Sequence, residues 1–304
     1  MAELREVNGD RSCVLEPEHL VGRGSQCALR LTPSYVSAQH AVIRWNGRAW
    51  ELIDRGSRNG TRVNGEPVEA GRSHKLARGA VIAFGDPKEL WRLAEAGEPE
   101  VMVVALDSGG ALLASDGIIA LPSSDEPVCT IYRDVESRWK LEMADGSVVV
   151  LEDGATFSVA ARTYRFRCPF SLDATAAVVR PDAPAPALCF TVSSDEEFVE
   201  LSLEYPHRTV KLGSRSHNYL LLTLARARLA DRDAGVPEAS CGWTDKEQLA
   251  DDLRVAPPQV DGEIFRIRKH FIERCRDEAA LVIERRPRTK QIRLGFPSIR
   301  ITKA

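Results

Sequence analysis

Three short stretches near the N-terminus combine glycines with side chains that can bind an anion. They are Gly22-Arg23-Gly24-Ser25, Ser37-Ala38-Gln39-His40 and Gly56-Ser57-Arg58-Asn59-Gly60-Thr61, followed closely by Asn64-Gly65. The first stretch alone could be taken for a glycine-rich nucleotide loop. However, no GxxxxGK(S/T) motif follows it, and the third glycine of a dinucleotide-binding loop is missing. Nucleotide binding is therefore not predicted.

The sequence contains no pattern typical of catalysis or metal binding. Its six histidines are dispersed, and HExxH, GxSxG and paired Cys/His spacings are absent. We therefore expect a binding protein rather than an enzyme, with no catalytic residues, no metal and no cofactor.

Taken together, the three stretches resemble the loop signature of the forkhead-associated (FHA) domain family over residues 11–93. That family binds phosphothreonine peptides, so the resemblance implies a protein that responds to Ser/Thr kinase signalling. A phosphothreonine dianion needs several charge-assisted hydrogen bonds held in one place. Loops on a β-sandwich can supply them because the strands fix the ends of each loop.

The resemblance also implies roles for individual residues. Arg23 is expected to bind the phosphate, Ser37 to donate its hydroxyl to a phosphate oxygen, and Asn59 to hydrogen-bond the peptide backbone after the phosphothreonine. His40 is expected to support the Ser37 loop. The remaining residues expected to contact the peptide or to support the pocket are Gly22, Gly24, Ser25, Arg58, Gly60 and Asn64.

Two positions depart from the usual family pattern, namely Ala38 after the serine and Arg58 before the asparagine. Arg58 either adds a second cation to the pocket or points to solvent. Tyr35 is expected to help select the residue three positions after the phosphothreonine. The alternative of a retained fold with an inactive pocket is disfavoured because Arg23, Ser37 and Asn59 are all present.

The elements that would position these loops are short alternating strands with Asn-Gly turns, which predict a β-sandwich over residues 1–95. Clear strands are Ala41–Trp45, Trp50–Asp54 and Val81–Phe84, and Asn46-Gly47 predicts a type I′ hairpin. The β pattern continues over residues 99–170. A weak repeat there, around Trp139 and Gly154, predicts a second, degenerate FHA-like sandwich without the pocket residues. The alternative is an unrelated β-domain.

Residues 171–190 are rich in Pro and Ala and predict a semi-extended linker. Thr175 lies in this segment. If phosphorylated, it could serve as a ligand for the pocket of its own chain or of a neighbour, although an ordinary linker threonine is the simpler interpretation.

Residues 191–304 predict strands, three helices and a hairpin, which is the order of an α/β winged helix-turn-helix. The stretch 260–271 resembles the recognition helix of the winged-helix (OmpR-like) effector domains of bacterial response regulators, and residues 281–295 resemble their hairpin. Two departures are a short loop at 254–258 and a long one at 230–242. The resemblance implies binding to duplex DNA.

The charge pattern agrees with an anionic partner at this end. Residues 254–304 carry 13 Lys and Arg against 6 Asp and Glu, a net of +7, whereas the rest of the chain has a net of −10. Val260, Ile264, Ile267 and Phe271 form one helical stripe that should face the core. The residues expected to contact DNA are Gln259, Arg266, Arg268, Lys269, Arg285, Arg286, Arg288 and Lys290. A solvated basic surface used for protein contact is the alternative.

Seven scattered cysteines, the charged N-terminus and the lack of a long apolar run predict a cytoplasmic protein without a membrane partner. The sequence therefore predicts a phosphothreonine-responsive transcriptional regulator. Its partners would be a phosphothreonine-containing protein or Ser/Thr kinase and duplex DNA, and it could form a homodimer. The alternative is a signalling scaffold in which both the FHA and the winged-helix modules bind proteins and neither binds DNA.

Overall fold

The computed structural model of the chain describes residues 1–169 and 186–304. The described residues form two compact units. The first contains residues 1–113, 152–158 and 162–169, and the second contains residues 114–151, 159–161 and 186–304. Thr175 and most of the predicted linker lie outside the described residues, so the prediction of an intrachain ligand remains a prediction.

The first unit begins with eleven strands that form two sheets. They are β1 Ala2–Glu6, β2 Ser12–Val14, β3 Glu18–Gly22, β4 Leu29–Arg30, β5 Ala41–Trp45, β6 Trp50–Asp54, β7 Thr61–Val63, β8 Glu66–Pro67, β9 Ser73–Leu76, β10 Val81–Phe84 and β11 Leu90–Ala96. One sheet has the order β4-β3-β5-β6-β9, and the other has the order β2-β1-β11-β10-β7-β8. Inward side chains of both sheets, including Trp50 and Trp91, form one buried core. This is a β-sandwich, as predicted.

Strands β5, β6 and β10 have the predicted bounds, but the turn between β5 and β6 differs from the prediction. Trp45 pairs with Trp50, which leaves a four-residue loop instead of a two-residue type I′ turn. The Asn46 side-chain oxygen accepts the N–H groups of Arg48 and Ala49 at 3.0 and 2.9 Å, so an Asx-type turn closes the hairpin. Strand β1, which we did not predict, lies inside its sheet between β2 and β11.

The region predicted as a second sandwich forms two four-stranded sheets that lie in different units. The sheet β13-β12-β19-β18 belongs to the first unit apart from residues 159–161, and the sheet β14-β15-β16-β17 belongs to the second. Their strands are β12 Met102–Ala105, β13 Ala111–Leu113, β14 Ile119–Leu121, β15 Cys129–Arg133, β16 Trp139–Met143, β17 Val148–Leu151, β18 Thr156–Val159 and β19 Arg162–Arg167. A single FHA-like sandwich over 99–170 thus remains a prediction.

The rest of the second unit contains the predicted order of strands, three helices and a hairpin. Its elements are β20 Ala187–Val192, β21 Val199–Tyr205, β22 Arg208–Ser214, α1 Asn218–Asp233, β23 Thr244–Asp245, α2 Lys246–Leu253, α3 Pro257–Arg274, β24 Ile283–Arg285, β25 Gln291–Leu294 and β26 Ile299–Lys303. Short 3-10 turns cover Glu238–Ser240 and Arg276–Glu278. Strand β20 begins four residues before the predicted domain boundary at 191. It pairs in parallel with β26, a strand that we did not predict.

The helix starts follow local capping chemistry. The Asp245 side chain accepts the Glu247 N–H at 2.8 Å, so Asp245 is the N-cap of α2. Pro257 opens α3, and the Gln259 side-chain oxygen accepts the Ala256 N–H at 2.9 Å. The stripe that includes Val260, Ile264 and Phe271 packs in the core of the unit, as predicted. None of the described helices is long and apolar enough to cross a membrane.

Candidate functional site

The three anion-binding stretches lie on three loops at one end of the first sandwich, between β3 and β4, β4 and β5, and β6 and β7. Backbone hydrogen bonds join the first two loops, because the N–H groups of Arg23 and Gly24 donate to the carbonyls of Ser37 and Ala38 at 2.9 Å. A Cβ on Gly22 would lie 2.5 Å from the Ala38 carbonyl oxygen. This close approach explains the glycine and brings Arg23 beside the serine loop.

The hydroxyl of Ser37 joins the second loop to the third. Its oxygen accepts the backbone N–H of Arg58 at 3.0 Å. Because a hydroxyl can accept and donate at the same time, its hydrogen remains available for a ligand oxygen. The side chain of Arg23 is exposed, and no carboxylate among the described residues pairs with it; its Nε makes a long 3.4 Å contact with the Val36 carbonyl. One hydroxyl donor and one guanidinium therefore lie on neighbouring loops at the same end of the sandwich.

His40 supports the Ser37 loop, as predicted, by hydrogen-bonding to the second and the third loop. Its Nδ1 accepts the Ser37 backbone N–H at 3.1 Å, so Nε2 carries the hydrogen and donates to the Gly60 carbonyl at 3.2 Å. Burial lowers the pKa of His40, which favours this neutral form. The imidazole ring also makes a perpendicular contact with the Phe84 ring, with ring centroids 5.8 Å apart.

The third loop is shaped by Asp54, a residue whose role the sequence analysis missed. Its buried carboxylate accepts the Ser57 N–H and hydroxyl, both at 2.7 Å, and the Thr61 hydroxyl at 2.5 Å. Burial raises the pKa of Asp54, but the hydrogen bonds from Ser57 and Thr61 outweigh it and leave the pKa below its usual value. The spacing of an aspartate three and seven residues before hydroxyl side chains was the available signal.

The amide of Asn59 lies on the same loop. Its Nδ2 donates to the Tyr35 carbonyl at 2.8 Å, while its Oδ1 has no partner among the described residues. This oxygen can accept a backbone N–H from a bound peptide. The Tyr35 hydroxyl donates to Glu89 at 3.1 Å, so Tyr35 is held within the protein on this side.

The remaining predicted pocket residues differ in position. Arg58 and Ser25 are exposed, and the Arg58 side chain has no carboxylate partner in the described part of the chain. Gly60 has a φ of +76°, which favours glycine. Asn64 hydrogen-bonds both backbone groups of Val81, so it fixes the turn between β7 and β8 to β10 and supports the sandwich, not the loops directly.

Most of the predicted DNA-contact residues of α3 form ion pairs with residues of the sheet β14–β17 and its loops, within the same unit. Arg268 is 1% exposed and forms an ion pair with Glu142. The Arg285 side chain is 5% exposed and pairs with Asp261 at 2.8 Å. The prediction that Arg268 and Arg285 contact DNA is therefore wrong for this conformation, because buried, paired guanidinium groups cannot reach a duplex.

Several of the other predicted DNA-contact residues are partly exposed to solvent. Arg266 pairs with Asp125 and Lys269 with Asp116, both at 3.1 Å, although Arg266 and Lys269 remain 45% and 35% exposed at their side chains. Gln259 caps α3, and Arg286 lies over the Trp243 ring at 4.6 Å. Lys290 pairs with Glu247. Among the Arg and Lys residues of the set, only Arg288, in the turn of the hairpin, is exposed without an ion pair to another described residue.

The described residues contain no cluster of three or more His, Cys, Asp or Glu side chains that could hold a metal ion. The seven cysteines are all free thiols, and six of them are buried. The loop edge that carries Arg23 and Ser37 combines a cation with a hydroxyl donor, an arrangement that can bind a dianion attached to an extended chain.

Comparison with known proteins agrees with this geometry. Residues 19–85 match the model of the FHA domain family. The FHA domain-containing protein FhaA of Mycobacterium tuberculosis is 35% identical over 91 residues, which is 30% of this chain and 17% of FhaA. The glycogen accumulation regulator GarA of Mycolicibacterium smegmatis is 34% identical over 82 residues, 27% of this chain and 46% of GarA.

The FHA domain of FhaA, solved in complex with the intracellular domain of Rv3910, is 34% identical. The match covers 30% of this chain and 98% of the solved FhaA chain, with a TM-score of 0.28. The chain spans less than half the length of the curated relatives it matches. Residues 19–85 therefore form an FHA domain, and a similar structure that is 33% identical comes from an analysis of phosphothreonine-dependent FHA domain interactions.

Proposed function

We propose that this chain is a regulator that binds phosphothreonine peptides through Arg23, Ser37 and Asn59 and acts downstream of a Ser/Thr kinase. Arg23 neutralises the phosphate, the Ser37 hydroxyl donates to a phosphate oxygen, and the Asn59 Oδ1 accepts a peptide N–H. Arg58 adds positive charge at the rim of the pocket. The peptide comes from the kinase itself or from one of its substrates.

The observation that carries this proposal is the Ser37 hydroxyl. Its oxygen accepts the Arg58 N–H, and its backbone N–H donates to His40, so its hydrogen is left for a ligand. The Arg23 guanidinium on the neighbouring loop has no carboxylate partner within residues 1–169 and 186–304. A donor held in place before binding loses little entropy when the ligand arrives. An inactive pocket would not require this arrangement.

The test is a calorimetric titration of the full-length protein with one peptide in phosphothreonine, phosphoserine and unmodified forms. We expect binding of the phosphothreonine form alone and its loss in Arg23→Ala, because a charge-assisted hydrogen bond to phosphate is removed. Arg48→Ala is the matched control, since Arg48 is exposed in the turn between β5 and β6, at the far end of those strands. Equal affinity for the unmodified peptide would refute the proposal.

We also propose that the C-terminal residues 191–304 bind duplex DNA, which would make the protein a transcriptional regulator. The net charge of +7 over residues 254–304 and the order of strands, helices and hairpin support this part. A fluorescence-polarisation titration of the full-length chain with random-sequence duplex at two salt concentrations tests it. Affinity should fall as salt rises, because bound cations are released from the phosphates.

The ion pairs over α3 favour a second candidate, a scaffold whose C-terminal part binds proteins. Arg268, the most deeply placed cation of the helix, already has a protein carboxylate as its partner. The scaffold predicts phosphopeptide binding without salt-sensitive DNA affinity. Partners recovered by pull-down should then survive nuclease treatment, whereas DNA-dependent partners would be lost.

A further inference from the structure

Acidic residues of the segment 114–151 lie against the outer face of α3. Asp116 pairs with Lys269 and Asp125 with Arg266, each at 3.1 Å, and Glu142 pairs with Arg268. Lys269 also donates to the Ser115 hydroxyl at 3.0 Å. Three cations at 266, 268 and 269, all predicted to face DNA, are thus matched by three carboxylates of one segment.

The centre of this contact is buried. The Arg268 guanidinium lies 4.3 Å from the centre of the Tyr132 ring, and Tyr132 packs with Ile118 and Phe265 in a small apolar cluster. Glu142 is 5% exposed, and although burial raises its pKa, the neighbouring charges of Arg268 and Arg285 lower it below the usual value. The contact therefore combines a buried ion pair with apolar packing, and separating the pair within the protein would leave a buried charge without a partner.

Gly262 shows how closely the two surfaces approach. A Cβ at this position would lie 2.3 Å from the Asp125 carbonyl oxygen. Within an isolated helix, alanine is favoured over glycine by about 1 kcal/mol, so helix stability alone does not explain the residue. The glycine is explained by the backbone of the segment 114–151 lying directly on α3.

We propose that the segment 114–151 is an intrachain cover that places carboxylates where DNA phosphates would lie, so that duplex DNA binds α3 only when the cover is displaced. This inference rests on the DNA-binding part of the proposed function. The cover competes with DNA because both need the cations at positions 266, 268 and 269, and a cation cannot satisfy both at once. The proposal explains why a basic helix is surrounded by acidic residues of its own chain.

Two variants of the full-length protein weaken the cover in different ways. Asp116→Asn/Asp125→Asn removes two exposed ion pairs, and Gly262→Ala introduces a steric conflict without changing charge. The matched control is Asp195→Asn/Glu196→Gln, which makes the same charge change in the same unit, where Glu196 pairs with Arg226 of α1. All four proteins are titrated with random-sequence duplex DNA at low and moderate salt, and with the phosphothreonine peptide.

Loss of two exposed pairs should tighten DNA binding by about two- to thirtyfold and steepen its salt dependence. Gly262→Ala should act in the same direction, and the control should match the wild type. Wild-type affinity equal to that of both cover variants would overturn the cover and leave DNA binding in place. No DNA binding by any protein would overturn the cover and the DNA-binding proposal together. The phosphopeptide titration reports the FHA domain separately in either case.

Discussion

The backbone N–H of Arg58 donates a 3.0 Å hydrogen bond to the hydroxyl oxygen of Ser37, across 21 residues of sequence. This bond orients the serine hydroxyl and fixes the loop that carries Asn59. His40 completes the connection from the other side, between the Ser37 N–H and the Gly60 carbonyl. The groups that we propose to bind phosphate and peptide therefore lie on loops that are joined by hydrogen bonds.

Ser37→Ala should lower affinity for a phosphothreonine peptide by about ten- to a hundredfold. The substitution removes a hydrogen bond to a charged group, worth about 1.5–3 kcal/mol, and frees the Arg58 N–H. Calorimetric titration measures the effect. Ser34→Ala is the control, because Ser34 is an exposed serine of the same loop. A Ser37→Ala affinity within twofold of the wild type would contradict the proposed role.

The sequence predicted the FHA fold and the loops that carry the proposed pocket because their signal is local. Arg23, Ser37 and Asn59 lie on short loops between strands, and glycines such as Gly22 mark where backbones approach. Asp54 was missed because a buried carboxylate that organises a turn resembles, in sequence, any aspartate at the end of a strand. Strand β1 was missed because its pairing with β11 joins opposite ends of the domain.

Arg268 and Arg285, which were predicted to face DNA, are buried instead, for a physical reason. Helical periodicity separates a core stripe from an outer face, and it placed Val260 and Ile264 correctly. It cannot show that a distant segment covers the outer face. The partners of Arg268 and Arg266 are Glu142 and Asp125, more than a hundred residues earlier in the chain.

Gly22→Ala should destabilise the FHA domain and weaken phosphopeptide binding. The new Cβ would lie 2.5 Å from the Ala38 carbonyl oxygen and 2.9 Å from that of Ser37, and both atoms belong to the backbone. Overpacking of this kind costs about 1–3 kcal/mol. Chemical denaturation and peptide titration of the same variant measure the two effects. Gly110→Ala should change neither, because a Cβ there would lie 3.5 Å from the Ser108 hydroxyl oxygen, an ordinary contact distance.

Stability should fall as pH drops below about 6.5, partly because of His19. Burial lowers the pKa of His19 to about 4, so the folded protein holds this ring neutral. The unfolded chain binds the proton first as pH falls, and the contribution of about 3 kcal/mol is lost between pH 6.5 and 4. Denaturant titrations over this range should show a shallower pH dependence for His19→Gln. Parallel curves for the two proteins would contradict the assignment.

Glu142→Gln should destabilise the second unit by about 3–5 kcal/mol, because it leaves Arg268 buried without a counter-charge. Replacing both partners by apolar residues, as in Glu142→Leu/Arg268→Met, should recover most of this loss. Glu204→Gln, which removes the more exposed ion pair with Arg300, should cost less than about 1 kcal/mol. Thermal and denaturant unfolding compare the three. A cost for Glu142→Gln no larger than for Glu204→Gln would show that the buried pair contributes little.

Arg58→Ala tests whether the Arg58 side chain points toward the bound peptide or toward solvent. The backbone N–H that anchors Ser37 survives the substitution, so only the exposed charge is lost. If the guanidinium faces the peptide, affinity should fall about two- to fivefold, as for an exposed ion pair, and the effect should shrink as salt rises. Arg48→Ala controls for net charge at the far end of the sandwich. Equal affinities for both variants at low salt would place the Arg58 side chain in solvent, leaving Arg23 as the cation that binds the phosphate.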